Sequence, residues 1–140
     1  MEPFAFTTNY VQVWCYDPES DSSKLFKTAR IGSVEVTGDP WKHAEAHREG
    51  FIDAFRIHGE RRIRVRLELG LLASSLLCEE YPLAERDLKP VREGWWLLDT
   101  EVAGMAGIGR FVVGLLDDIR IVDAPELTEY LREYLHEHTF

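Results

Sequence analysis

The clearest pattern in the chain is Arg62-Ile63-Arg64-Val65-Arg66-Leu67-Glu68, where charged and apolar residues alternate without a break. A period of two predicts a strand with Ile63, Val65 and Leu67 on a core face and the charged residues in water. Near the C-terminus, Leu127, Tyr130, Leu131, Tyr134 and Leu135 recur at the spacing of one helix face. Asp123 or Ala124 would cap that helix, with Pro125 in its first turn and Glu126 at the positive end of its dipole. Between the two, the cluster Leu71, Leu72, Leu76 and Leu77 predicts a helix ending near Tyr81-Pro82. Strands are expected over 88–92 and 95–102, joined at Glu93-Gly94, then a helix over 105–116 and a strand over 118–122. The order β-α-β-β-α-β plus a helix is the ferredoxin-like order.

The first part of the chain has another pattern. Val11, Val13 and Cys15 alternate with Tyr10, Gln12, Trp14 and Tyr16, and since both sets are largely apolar this strand should be central. Asp17 to Ser23 is rich in turn formers and predicts a hairpin loop. A second strand is expected from Lys24 to Ile31 and a third over Ser33-Val34-Glu35-Val36-Thr37, closed by Gly38-Asp39-Pro40. Three short antiparallel strands suggest a small barrel. A short helix over 41–50 and a closing strand over 51–57 complete it, and Gly59-Glu60-Arg61 marks the boundary. The expected fold is α+β, with a small barrel at 1–58 and a ferredoxin-like region at 59–140.

Composition narrows the classes. With 45% hydrophobic and 11% aromatic residues among 140, the chain can bury a core. Its formal charge of −9 repels phosphate backbones, so specific binding to double-stranded DNA is not expected of it. Cys15 and Cys78 lack the C-x-x-C spacing of redox or zinc sites and read as packed thiols. No signal peptide or membrane-length apolar run occurs, so a soluble cytoplasmic protein is expected.

Glu2-Pro3-Phe4-Ala5-Phe6, the strand running into Tyr16-Asp17-Pro18-Glu19-Ser20, and Phe26-Lys27-Thr28-Ala29-Arg30-Ile31 resemble the latter part of a WYL domain. Arg110-Phe111-Val112-Val113-Gly114-Leu115 and Ile119-Arg120-Ile121-Val122-Asp123-Ala124-Pro125-Glu126-Leu127 are similar to the end of that family's C-terminal extension. The resemblance implies an Sm-like (SH3-like) barrel, here partial, a ferredoxin-like extension, and a role in bacterial transcription control. Family members usually carry a helix-turn-helix, which this sequence lacks, and the first barrel strands are also expected to lie outside it. Val11, Gln12 and Val13 stand where the family has Trp-Tyr-Leu, with aromatics around them at Tyr10, Trp14 and Tyr16. Lys27 and Arg30 match the basic positions of the family's Phe-Arg-x-x-Arg-Ile.

The candidate ligand-binding residues are therefore Lys27, Arg30, Tyr10, Gln12 and Trp14. Three residues apart, Lys27 and Arg30 would point to opposite faces of an ideal strand, so only a bulge or strand end lets both meet one anion. The competing reading is two solvated charges. Arg30 suits a phosphate, and the aromatic strand could stack a base. Arg61, Arg62, Arg64 and Arg66 form a basic ridge, read as a solvated face or edge-strand guard in preference to a nucleic-acid contact. On a helix, His43 and His47 would share a face as a metal pair does, but a third ligand is lacking. His136 and His138 read as charges at a helix end, and one of Trp95 and Trp96 as core with the other free for a subunit contact.

No metal, cofactor or catalytic residue is expected. The resemblance implies a ligand-sensing module that binds a nucleotide or a single-stranded nucleic acid, and the sheet edge left by the missing barrel strands, beside an aromatic strand apolar on both faces, predicts self-association as a homodimer. The alternative is a structural dimerisation module without a ligand.

Overall fold

The computed structural model describes residues 1–138 of an α+β chain. It divides into two compact units, Met1–Gly50 and Phe51–Phe140.

The first unit is built on three antiparallel strands, β1 (Glu2–Phe6), β2 (Gln12–Asp17) and β3 (Ser22–Lys27), in the order β1-β2-β3. β2 is central, as its two apolar faces require, and Val13, Trp14, Cys15 and Tyr16 are all buried. The β2–β3 hairpin closes through turn chemistry: the Asp17 carboxylate accepts the Glu19 N–H and the Ser20 hydroxyl, both at 3.1 Å, and the Lys24 ammonium at 2.6 Å. The Lys24 ammonium holds the Asp17 carboxyl below its ordinary range against the opposing effect of burial.

The sheet stays open, with β1 and β3 as its edges. β3 ends at Lys27 instead of Ile31, because Thr28–Arg30 turns as a single 3-10 segment. The strand expected over Ser33–Thr37 does not form: no neighbouring strand supplies a ladder there, and every residue from 31 to 40 is exposed. Alternation shows which residues fit a pleated surface, but a strand also needs a partner for its backbone. The helix expected over 41–50 shrinks to one 3-10 turn, Ala44–Ala46. Just before it, the Glu2 carboxylate takes the N–H groups of Lys42 and His43 at 2.9 and 3.1 Å, tying the segment to β1.

The second unit begins with a two-residue hairpin, β4 (Phe51–Ile52) with β5 (His58–Gly59). Residues 51–58, expected from the sequence to close the first region, therefore belong to the second unit. The cause is burial: Phe55 lies in the second unit's core, its ring 5.0 Å from Tyr81 and 6.0 Å from Phe111. Asp53 pins the turn. One of its carboxylate oxygens accepts the N–H groups of Phe55 (2.9 Å) and Ile57 (3.0 Å), and the other accepts that of Ala103 (2.9 Å). This buried acid is thus fully bonded to backbone donors.

The remaining elements are β6 (Ile63–Leu69), α1 (Leu71–Glu80), β7 (Leu88–Arg92), β8 (Trp95–Val102), α2 (Met105–Val113), β9 (Ile119–Asp123) and α3 (Pro125–Glu137). The strands form one antiparallel sheet in the order β7-β8-β6-β9. Val65, Leu67, Leu69, Leu98 and Val102 face a core shared with Leu77 of α1, Ile108 and Val112 of α2, and Leu127 and Leu131 of α3. The other sheet face carries Arg64, Arg66, Glu68, Asp99 and Glu101, with Leu97 among them. α1 ends just before Tyr81-Pro82 as the leucine cluster predicts, and its buried residues are Ala73, Ser74 and Leu77, whereas Leu71 and Leu72 are exposed. Asp118 accepts the Ala73 N–H at 2.7 Å and so satisfies the start of α1 from a distant turn. Gly107 and Gly109 allow close packing of α2: a Cβ on Gly107 would stand 2.7 Å from the Phe55 Cβ, and one on Gly109 2.5 Å from the Tyr130 ring. Among the described residues, no helix is long and apolar enough to cross a membrane.

Candidate functional site

Four of the five candidate ligand residues gather at one end of the first unit's sheet. Gln12 opens β2 and stands opposite Lys27, the last residue of β3, and directly opposed residues in an antiparallel pair share a face. The Thr28 N–H donates to the Val11 carbonyl at 3.0 Å. Its hydroxyl lies 2.7 and 2.9 Å from the carbonyls of Tyr10 and Val11, so the turn that carries Arg30 is fastened to the segment that carries Tyr10. Because the chain leaves the strand after Lys27, strict alternation does not oppose Lys27 and Arg30. Both are exposed, and neither forms an ion pair among the described residues.

Tyr10 is 71% exposed and Phe6 meets it edge-on at 5.3 Å. Asn9 and Tyr10 both hold left-handed backbone, with φ of 60° and 57°. That conformation costs roughly 1–2 kcal/mol for an ordinary L-residue, less for Asn. The Thr7 carbonyl accepts the Tyr10 N–H at 3.0 Å, and Thr7 and Gln12 close the loop with further bonds. Asn9 is the sequence signal for this turn. A left-handed tyrosine after it has none.

Trp14 does not join the group. It is 3% exposed inside the sheet, so its ring is part of the packing and no open platform for a base. His43 and His47 also serve another purpose. The His47 ring stacks on Phe4 at 4.6 Å and lies 2.9 Å from Glu2 Oε1, with the Trp41 ring edge-on at 4.8 Å. Burial opposes the Glu2 carboxylate, but the N–H groups of Lys42 and His43 and the His47 ring together hold its pKa below the ordinary range. Sequence reasoning missed Glu2, whose role depends on contacts more than forty residues apart. No group of three or more metal-binding side chains occurs among the described residues. Burial pushes the Cys15 and Cys78 thiols up, away from the thiolate form.

Of the four ridge arginines, Arg64 and Arg66 lie on β6, an interior strand between β8 and β9, and Arg61 and Arg62 precede it, so the edge-guard reading is set aside. Its charges are largely answered. Arg64 makes a two-pronged pair with Asp99 at 2.9 and 2.7 Å, Arg61 one with Glu126 at 3.2 and 2.6 Å, and Arg66 lies 3.8 Å from Asp99. Arg62 rests on the Phe51 ring at 4.2 Å. Arg64 holds the Asp99 carboxyl low, and Arg92 does the same for Glu68. Trp95 and Trp96 are both half-buried. The guanidinium groups of Arg92 and Arg120 lie over the Trp95 ring at 5.3 and 4.4 Å, so this face offers no bare aromatic surface. In comparisons with known proteins, the chain matches no family model and no curated protein.

Proposed function

We propose that this chain is a regulatory module of the WYL type, binding a nucleotide or a single-stranded nucleic acid through its first unit and self-associating as a homodimer. The observation that carries the ligand reading is the end of the first sheet, where unpaired Lys27 stands opposite Gln12 and the turn bearing unpaired Arg30 is fastened through Thr28 to the carbonyl of the exposed Tyr10. In a chain of net charge −9, two uncompensated cations on segments tied to one that bears an exposed aromatic ring suit a phosphate attached to a base. The strand order β7-β8-β6-β9 supports a ferredoxin-like reading of the second unit, while a partial Sm-like barrel in the first rests on the sequence resemblance alone. On this reading the module has no reaction of its own.

The test is calorimetric titration with a short oligothymidylate and with ATP. Arg30→Ala should weaken binding about tenfold, while Arg64→Ala, already engaged by Asp99, should change it little. Equal losses for both variants, or no heat of binding, would remove the ligand reading. The structural dimerisation module would then stand in its place, favoured by the exposed Val34 (80%) and Val36 (96%) and by the two open sheet edges. Gel shifts with double-stranded DNA should show no sequence-selective complex.

A further inference from the structure

A cleft lies wholly within the second unit, between α1, α2 and the turn that precedes β5. It is about 670 Å³ in volume, and Arg56, Glu80, Tyr81, Arg110, Phe111 and Leu115 are among its lining residues. Arg56 is held there by built features. The Asp53 turn fixes its backbone, which is left-handed at φ 67°, an unfavourable conformation for arginine. Its guanidinium donates to the Glu80 carbonyl at 3.0 Å and lies 5.2 Å from the centre of the Tyr81 ring. A carbonyl and a ring orient this cation without neutralising it, and most of its five donors stay unspent. Arg110, on the last turn of α2, also lines the cleft; it is exposed and forms no ion pair among the described residues. The ridge arginines differ, since Arg61 and Arg64 are each gripped by a carboxylate.

We propose that this cleft binds a small organic monocarboxylate with an aromatic or aliphatic body. The carboxylate would lie between Arg56 and Arg110, where charge-assisted bonds from planar guanidinium groups are strongest. The body would lie along Tyr81, Phe111 and Leu115. Glu80, also on the lining, repels a second negative charge and so selects a monoanion over phosphate. The site is separate in residues from the Lys27 and Arg30 group, so each can fail without the other.

The experiment is a titration of the full chain, isotopically labelled, with phenylacetate, followed by NMR, with benzyl alcohol and inorganic phosphate as comparisons. Phenylacetate should shift the resonances of Arg56, Tyr81 and Arg110 saturably and bind more tightly than either comparison compound. Arg110→Gln should weaken it about tenfold and Glu80→Gln should strengthen it, while Lys27→Gln leaves it unchanged. Opposite signs from two exposed positions separate a binding role from a loss of fold. Absence of saturable shifts, binding of benzyl alcohol as tight as that of phenylacetate, shifts confined to Tyr130 and Tyr134, which line a neighbouring pocket that Arg110 also borders, or an Arg110→Gln affinity equal to the parent's would overturn the proposal.

Discussion

The two units are held together by different means. The second has a continuous apolar core drawn from all three of its helices and its sheet, sealed by backbone ladders on four strands. The first buries Val13 to Tyr16 of one strand and fastens the rest with polar ties, Glu2 to the 42–47 segment and Asp17 to the hairpin. Its residues 31–40 are exposed throughout. A unit with few buried contacts opens locally at low cost, so the first unit should open more readily than the second.

The sharpest break in that comparison should come from the second unit's core. Leu67→Ala removes a side chain with almost no exposure and should cost about 3 kcal/mol, read as a lower urea midpoint by the NMR signals of β6 and β8. Asp53→Ala should come next, at about 2 kcal/mol, because it strands buried backbone donors. It should also free residues 51–59, seen as faster amide exchange there. His47→Ala should leave the second unit's urea transition in place and raise amide exchange only around residues 42–47 and β1.

The smallest effect concerns acid. The carboxyls of Glu2, Asp17, Glu68 and Asp99 all sit below their ordinary range in the folded chain. Such groups add stability that is present above the unfolded carboxyl pKa of about 4 and is lost as pH falls through the lower folded value. Exposure weakens each contribution. Urea midpoints should therefore be flat from neutral pH to about 5 and fall below about 4. A rise on acidification would contradict the pairing described.

The same contrast governs what could be read from the sequence. Where a segment packs against a large core, its period survives in the residues: the β6 alternation and the spacing of Leu127 and Leu131 on α3 match what is buried. The Glu93-Gly94 turn was legible because Gly94 adopts φ 78°, which favours glycine. Ser33–Thr37 carries a strand's alternation but no partner strand. Leu71 and Leu72 carry a helix's apolar residues on its exposed side. The Gly50 division was hidden because it depends on where Phe55 packs, a contact with residues far along the chain. At the candidate site, Lys27, Arg30, Gln12 and Tyr10 were legible as residue types. Their gathering rests on Thr28 and on two left-handed residues, and Trp14 was lost to the interior because the aromatic strand is central.

The most direct test of the functional account is amide hydrogen exchange of the whole chain with and without a short oligothymidylate. Ligand held by Lys27, Arg30 and Tyr10 should slow exchange at Tyr10, Gln12 and Thr28, whose N–H groups bond within that sheet end, and leave β6 and β8 unchanged. Protection that rises on β6 and β8 instead, or nowhere at saturating oligonucleotide, would contradict it.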